Sequence, residues 1–316
     1  MNDRPFCSVI IPAFNEEKDI ETCLISLTNQ TYPKDRFEII VVDNGSTDKT
    51  KEIAATYADL VLDKPEGNVG AVRNFGITHA SGEIIICTDA DCVVPPNWIE
   101  TGVDLLQSNP KHAFGGGLKP RKNAKWVEKY WILNASGCKT QQHALAGSSI
   151  FMWKIDFLRL GAFNENVTSG EDSALHAQAL ANGLEITISS GLSVTHSGCP
   201  ETTIDFVKRQ IWHSENYLYD FRNSLKDKVF WLTVIYLFLT ISAVFYLLTA
   251  EYILMIFAIV STQALAMILS LKRIKRSSWS VKNLDEFQKI LILDNLYLIG
   301  RSTGLLKGLG RLIGRL

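Results

Sequence analysis

The feature that most constrains this chain is an apolar stretch toward its C-terminus. Residues 229–249 and 252–271 contain no charged side chain, and only Ala250 and Glu251 separate them. One continuous helix over this stretch would be about 65 Å long, roughly twice the ~30 Å hydrocarbon core of a bilayer. The sequence therefore predicts two membrane-spanning helices joined by a tight turn. Two core helices of a soluble domain are the alternative, but such helices keep a polar face, which residues 229–249 lack.

Basic residues flank this predicted hairpin on both sides. Arg222, Lys226 and Lys228 precede it, and the run Lys-Arg-Ile-Lys-Arg at 272–276 follows it. Because Lys and Arg are enriched in cytoplasmic loops, we expect both flanks and the preceding domain to be cytoplasmic, at a bacterial or archaeal cell membrane. Residues 272–316 hold ten Lys and Arg against three Asp and Glu. They predict a basic amphipathic segment lying on anionic lipid, with a partly inserted third helix as the alternative.

The first 110 residues alternate short runs rich in Val and Ile with amphipathic segments. The four runs are Phe6–Phe14, Phe37–Asp43, Leu60–Leu62 and Glu83–Thr88. This alternation is typical of βα units that form a mainly parallel sheet buried on both faces. The fold class predicted is therefore α/β, with residues 1–110 as a nucleotide-binding half. Asn15, and Ser46 or Thr47, are predicted to cap the helices that follow the first two strands.

Residues 111–225 have a less regular pattern. They are predicted to form the half of a catalytic domain, spanning 1–225, that binds the acceptor substrate. Helices are expected over Ala124–Ala135 and 202–224. A net charge of −1 excludes a dedicated nucleic-acid binder, which would show a strongly basic face. The six cysteines show no paired spacing and are expected to be reduced thiols. The N-terminus lacks the pattern of a signal peptide, so none is expected.

Asp89-Ala90-Asp91 directly follows the fourth apolar run. Two carboxylates would then lie at the C-terminal end of a buried parallel strand, the edge at which open α/β sheets bind ligands. Mg²⁺ and Mn²⁺ prefer oxygen ligands and keep phosphate oxygens in their coordination shell. The motif therefore predicts a divalent metal site, although a lone D-x-D is also common in solvated turns.

Asp43 ends the second apolar run and precedes Asn44 and Gly45. A carboxylate there could accept a hydrogen bond from an imide N–H of a nucleobase. A simple turn with a helix cap explains the same residues equally well. Both interpretations stay open at this point.

The ordered set of motifs resembles the inverting family 2 glycosyltransferases of the GT-A fold, in their membrane-anchored branch. The motifs that carry the resemblance are Pro12-Ala13-Phe14-Asn15-Glu16, Val42-Asp43-Asn44-Gly45-Ser46, Arg73-Asn74 with Gly76, Asp89-Ala90-Asp91 and Glu171-Asp172. The match covers about residues 6–215. The order of the set is far more specific than any one of its members.

The resemblance implies a role for each matching residue. Donor contacts would come from Pro12, Ala13, Asn15, Glu16, Asp43, Arg73, Asp89, Ala90 and Asp91. Asp89, Asp91 and His196 would hold Mn²⁺ or Mg²⁺, although His196 could equally be structural. Glu171 and Asp172 would be the catalytic pair at the start of a helix, with Asp172 as the base. The alternative is that both acids only stabilise the N-terminus of that helix through its dipole. Arg209 and Trp212 resemble a loosened Q-x-x-R-W motif and would contact acceptor or diphosphate.

Together these features predict a membrane-bound enzyme. It would transfer a sugar from a nucleotide-sugar donor, such as a UDP-sugar, to a lipid-linked or polysaccharide acceptor at the cytoplasmic face, as in cell-wall or polysaccharide biosynthesis. The alternative is a polyprenyl-phosphate glycosyltransferase that makes a lipid-phosphate-linked sugar. A nucleotidyltransferase is disfavoured because Ala13–Glu16 is acidic where a basic triphosphate loop would be needed.

Overall fold

The computed structural model describes residues 4–133, 144–167, 170–215, 217–218, 221–277 and 279–313. The chain divides into two compact units. The first comprises Met1–Arg121 with Cys138–Gly198, and the second comprises Lys122–Gly137 with Cys199–Leu316. The segments 122–137 and 199–225 therefore group with the apolar C-terminal helices by their contacts. The predicted end of the catalytic domain at residue 225 is a functional boundary, which a division by contacts does not test, so it stays a prediction.

The first unit is built on an eight-stranded sheet. Its strands are β1 (Cys7–Ala13), β2 (Phe37–Asp43), β3 (Leu60–Asp63), β4 (Ile84–Cys87), β5 (Cys92–Val93), β6 (His112–Lys119), β7 (Ile150–Trp153) and β8 (Glu185–His196). The order across the sheet is β3-β2-β1-β4-β7-β6-β8-β5. The first four strands pair in parallel, as do β6 and β8, whereas β7 runs antiparallel to both of its neighbours and β5 antiparallel to β8. The predicted mainly parallel α/β sheet is confirmed.

Helices cover both faces of this sheet. Those of the first unit are α1 (Ile20–Thr28), α2 (Thr50–Tyr57), α3 (Val69–His79), α4 (Trp98–Ser108), α6 (Lys154–Arg159) and α7 (Glu171–Ala181). Burial on both faces explains why β1, β2 and β4 are continuous runs of Val and Ile instead of alternating patterns. Gly76 lets α3 lie directly on the sheet, since a Cβ there would be 2.7 Å from Ile10 Cγ2 and 2.9 Å from Val42 Cγ2.

The predicted helix caps at Asn15 and at Ser46 or Thr47 are wrong. Helix α1 begins only at Ile20, and α2 begins at Thr50. Asn15 instead adopts a left-handed backbone conformation with φ of 55°. Its side-chain Oδ1 accepts from the Thr47 N–H at 2.9 Å, and its own N–H donates to Ser46 Oγ at 2.9 Å. These polar side chains therefore join the ends of β1 and β2 to each other, which a single-segment pattern does not reveal.

The second unit is helical throughout its described elements. They are α5 (Trp126–Ile132), α8 (Thr203–Ser214), α9 (Phe221–Ser224), α10 (Lys228–Leu248), α11 (Tyr252–Ser277) and α12 (Leu284–Ile313). The single helix expected over 202–224 is thus two helices, α8 and α9. The described part of the helix expected over Ala124–Ala135 ends at Ile132, because Leu133 turns left-handed with φ of 46°. Residues 134 and 135 lie outside the described residues.

Helices α10 and α11 are long and apolar enough to cross a membrane, and they coincide with the two predicted spans. Little of them is covered by protein: 11% of the most apolar 18-residue window of α10 is buried, and 22% of that of α11. A core helix of a soluble protein would be mostly buried. These helices are therefore candidate membrane spans.

Helix α12 packs closely on α8. A Cβ at Gly304 would lie 2.3 Å from the Ile211 carbonyl oxygen, so glycine is needed where the two helices touch. Asp294 of α12 forms a buried ion pair with Arg273 of α11 at 2.6 Å. Tyr297 and Leu298 of α12 are buried inside this unit. They therefore do not face lipid, and the membrane-surface role of 272–316 stays a prediction.

Candidate active site

Asp43 lies at the C-terminal end of β2 with 3% of its surface exposed. Its Oδ2 accepts from the backbone N–H groups of Gly45 at 3.1 Å and Ser46 at 3.0 Å. Its Oδ1 is buried without a hydrogen-bond partner among the residues that the structure describes. Oδ2 thus stabilises the turn, and Oδ1 can accept a hydrogen bond from an N–H of a bound nucleobase. The two interpretations of Asp43 are compatible.

The motif Asp89-Ala90-Asp91 connects β4 to β5, as its position after an apolar run predicted. His196 is the last residue of β8, a strand of twelve residues. The antiparallel register pairs Cys92 with His196, and this pairing brings the imidazole beside the motif. His196 Nδ1 lies 3.5 Å from Asp91 Oδ2. The sheet therefore assembles the predicted acidic pair and histidine into one cluster.

The donor set of this cluster fits a divalent cation. One ligand atom from each of Asp89, Asp91, Cys92 and His196 lies within 4.8 Å of the others. His196 Nδ1 is buried and has no hydrogen-bond partner in the described structure, so it can donate its lone pair to an ion. The carboxylate oxygens of Asp89 and Asp91 suit Mn²⁺ and Mg²⁺.

Cys92 is a member of the cluster that sequence reasoning missed, although it directly follows the motif. Burial, and then the charges of Asp89 and Asp91, raise the pKa of its thiol well above the ordinary value. The neutral thiol donates to Asp91 Oδ1 at 3.8 Å. A protonated thiol is a poor ligand for a hard cation, so Cys92 orients Asp91 instead of completing an oxygen-rich shell.

Glu16 is partly buried among acidic side chains, which affects its pKa. Burial, and then the charges of Asp91, Asp19 and Asp89, raise its pKa to about 7. Its backbone N–H donates to Thr50 Oγ1 at 2.7 Å. The other predicted donor residues of this segment, Pro12 and Ala13, form the end of β1, where Ala13 pairs with Asp43. The ends of β1 and β2 are thus side by side. A cation bound nearby would lower the pKa of Glu16 and so favour its ionised form.

Asp172 lies in the first turn of α7, which begins one residue earlier at Glu171. Its Oδ1 accepts from the Ser173 N–H at 2.7 Å, and its Oδ2 faces the Gly147 N–H at 3.4 Å. Burial and the adjacent charge of Glu171 raise the pKa of Asp172, and this effect outweighs the lowering by Arg73. A carboxylate with a raised pKa is suited to accept a proton.

Arg73 links the two acidic motifs. Its guanidinium is 2% exposed and pairs with Asp89 Oδ1 through Nη2 and with Glu171 Oε1 through Nη1, both at 2.6 Å. Burial opposes its charge, but the two carboxylates hold the pKa of Arg73 above its ordinary value. Arg73 is therefore paired with carboxylates, and its predicted contact with the donor stays a prediction.

Arg209 and Trp212 lie on α8 of the second compact unit. Half of the Trp212 surface is exposed. Their predicted contact with acceptor or diphosphate stays a prediction. Every other residue predicted for the site belongs to the first unit.

Comparison with known proteins identifies the family of this chain. The family model "Glycosyl transferase family 2" matches residues 8–161. The glycosyltransferase AglE of Haloferax volcanii is 31% identical over 211 residues, which are 62% of this chain and 68% of AglE. The chain belongs to glycosyltransferase family 2. TarS of Staphylococcus aureus, a poly(ribitol-phosphate) beta-N-acetylglucosaminyltransferase, is 27% identical over 197 residues, and the chain spans only 34% of its length.

Solved structures with a similar fold include two glycosyltransferase complexes. The mannosyltransferase PcManGT from Pyrobaculum calidifontis, with GDP-Man and Mn²⁺, has a TM-score of 0.60 at 20% identity and covers 96% of this chain and 88% of its own. TarS 1–349 from S. aureus, with UDP-GlcNAc, has a TM-score of 0.50 at 23% identity and covers 67% of this chain and 66% of its own. The predicted GT-A fold of this family 2 glycosyltransferase is confirmed.

Proposed function

We propose that this family 2 glycosyltransferase is a metal-dependent inverting enzyme that uses a nucleotide-sugar donor, most simply a UDP-sugar. The observation that carries the proposal is the cluster of Asp89, Asp91 and His196, which Arg73 joins to Glu171, the neighbour of Asp172. Relatives support it, because TarS has been solved with UDP-GlcNAc and PcManGT with GDP-Man and Mn²⁺. Strand ends of an α/β sheet are also where nucleotides bind.

The donor half of the site would work through fixed acceptors and a cation. The free Oδ1 of Asp43 would accept the imide N–H of the base, and the segment from Pro12 to Glu16 would line the nucleotide. Asp89, Asp91 and His196 would hold Mn²⁺ or Mg²⁺. The bound cation would neutralise charge on the departing diphosphate. Burial, and then the charges of neighbouring acidic groups, raise the pKa of Glu16, and these acidic neighbours are consistent with a region that takes up positive charge.

Asp172 would act as the catalytic base. The acceptor hydroxyl oxygen forms a bond to the anomeric carbon while the bond from that carbon to the diphosphate oxygen breaks. The hydroxyl proton passes to Asp172, and the electron pair leaves with the nucleoside diphosphate. Attack on the face opposite the leaving group inverts the anomeric centre. Glu171 would support this step by holding Arg73 and by keeping the pKa of Asp172 raised.

The acceptor would be lipid-linked or a polysaccharide at the cytoplasmic face of the membrane. The carrying feature is the uncovered apolar surface of α10 and α11, where Phe238 is 68% exposed, Leu248 80% and Ile253 84%. Surfaces this apolar are normally covered by lipid or protein. Anchoring on a bilayer raises the effective concentration of an acceptor in the same membrane. Arg209 and Trp212 would contact this acceptor or the diphosphate.

A donor screen tests the catalytic proposal. With membranes supplying acceptor, we expect one nucleotide-sugar to release nucleoside diphosphate, and EDTA to lower the rate about 100-fold or more because the leaving group loses its counter-charge. Added Mn²⁺ or Mg²⁺ should restore the rate. NMR of the product should show the anomeric configuration opposite to that of the donor. Full activity in EDTA, or a product that retains configuration, would contradict the proposal.

Alkaline carbonate extraction tests the membrane proposal. We expect the full chain to stay in the membrane pellet, since each lipid-facing Leu, Ile or Phe at a helix centre contributes roughly −0.3 to −0.6 kcal/mol to insertion. A peripheral protein in the same membranes serves as the control and should be released. Protease added to inverted vesicles, but not to right-side-out vesicles, should digest the first unit. Release by carbonate would refute the anchor.

A further inference from the structure

Two asparagines, Asn68 and Asn74, bond helix α3 to residues 163–167, which precede Asp172 in the chain. Asn68 donates from Nδ2 to the carbonyl oxygens of Glu165 at 2.6 Å and Val167 at 2.7 Å. Asn74 bonds both backbone groups of Phe163, accepting from its N–H at 3.0 Å and donating to its carbonyl at 2.9 Å. These bonds join positions about 90 to 100 residues apart in the chain. Residues 163–167 are therefore held by side chains at the N-terminus and in the middle of α3.

Arg73 provides a third attachment on the same helix. One planar guanidinium spans Glu171 and Asp89, so the separation of these two carboxylates is set by a rigid group. The guanidinium carbon also lies 5.3 Å from the centroid of the Phe163 ring. Its remaining nitrogen, Nε, is buried and has no partner in the described part of the chain. Because Arg73 is only 2% exposed and both ends of its fork face carboxylates, it presents little surface to a bound nucleotide.

Gly147 fills the space between Arg73 and the proposed base. A Cβ at this position would lie 2.2 Å from Arg73 Nη2 and 2.7 Å from its Cζ. The backbone N–H of Gly147 faces Asp172 Oδ2 at 3.4 Å. Any larger residue would push the guanidinium or the loop carrying this N–H out of position. Glycine is thus required here by close approach.

We infer that Arg73, with Gly147 packed against it, is a positioning residue that aligns the metal-binding Asp89 with the segment bearing Asp172, and is not itself a donor ligand. This inference rests on the proposed function, because it assigns Asp89 to the metal and Asp172 to proton transfer. The physical basis is that a misplacement of about 1 Å between reacting groups can lower a rate about 100-fold. The guanidinium fixes the relative placement of two motifs that are far apart in sequence.

The inference predicts a separation of kcat from KM in the variant Arg73→Lys. An ammonium can pair with either carboxylate but lacks the fork that spans both. At saturating Mn²⁺ we expect kcat to fall about 30- to 100-fold, with the donor KM changed less than about threefold. The Mn²⁺ concentration for half-maximal rate should rise about tenfold because Asp89 loses its fixed orientation. Gly147→Ala should behave similarly, and Gly310→Ala, where a Cβ meets open space, should match the wild type.

The double variant Arg73→Gln with Glu171→Gln separates positioning from folding. Replacing Arg73 alone would leave an uncompensated buried carboxylate and lower the melting temperature. The double variant removes one positive and one negative charge together, so its melting temperature should be close to that of the wild type. We expect kcat to stay low, because Asp89 is still not aligned and Glu171 no longer supports the step at Asp172. Recovery of kcat along with stability would overturn the inference, as would a donor KM in Arg73→Lys that rises as much as kcat falls. A wild-type chain without transferase activity, or an active Asp172→Asn variant, would instead refute the proposed function.

Discussion

The variant Asp172→Asn is expected to lose about 10³- to 10⁴-fold in kcat while its donor affinity changes less than about threefold. General-base catalysis by a positioned side chain contributes about 10²- to 10⁴-fold, and here it is the only proposed route for the acceptor proton. Asparagine keeps an oxygen that can accept from the Ser173 N–H, so the start of α7 should be preserved. The measurement is nucleoside diphosphate release at saturating acceptor, with donor affinity measured by calorimetry.

The neighbouring variant Ser173→Ala is the matched control. It removes only an exposed hydroxyl and keeps the backbone N–H that bonds Asp172, so its kcat should equal that of the wild type. The pH profile provides an independent readout. Because the pKa of Asp172 is raised, the wild-type rate should fall as pH drops through that pKa and the base becomes protonated. This acidic limb should disappear from the residual rate of Asp172→Asn. Unchanged turnover in the variant would remove Asp172 from the role of base.

The second large effect is expected for Asp91→Ala, which should abolish metal-dependent donor binding. Loss of a hydrogen-bonding partner of a metal ligand already costs 10- to 100-fold in metal affinity, so loss of a ligand should cost about 100-fold or more. The fold should be preserved, because the substitution removes one negative charge from a cluster of closely spaced acidic groups. The pKa of Glu16, raised in part by Asp91, should then fall toward its ordinary value.

A thermal shift measures this loss without relying on activity. Mn²⁺ at about 100 times its dissociation constant stabilises a protein by about 2.7 kcal/mol, so it should raise the melting temperature of the wild type. We expect no such rise in Asp91→Ala. Asp48→Asn is the control, since Asp48 is acidic and contributes to the raised pKa of Glu16 but is outside the candidate metal cluster. An equal Mn²⁺-dependent rise in Asp91→Ala and the wild type would refute the metal site.

The elements that the sequence predicted well depend on local pattern. The runs ending at Asp43 and before Asp89 are buried on both faces of the sheet, so their Val and Ile content was sufficient to find β2 and β4. The two long apolar helices α10 and α11 were equally clear, because each contains about 20 apolar residues in succession, the length of a candidate membrane span. The helix starts near Asn15 and Thr47 were wrong because these polar residues bond each other across two strand ends. A cap preference describes one segment and does not include that competing partner.

The apolar hairpin, the strand ends and the ordered acidic motifs were determined by the sequence itself, since each depends on residues close together in the chain. Tertiary structure alone decided which of these groups meet. His196 reaches the acidic pair only because β8 pairs with β5, and Arg73 joins Asp89 to Glu171, which lies 98 residues after Arg73 in the chain. Asn68 and Gly147 gave no chemical signal in the sequence, because an amide or a missing side chain gains meaning only from what packs against it. Local hydrophobic pattern fixes elements, whereas the order of strands in the sheet fixes the site.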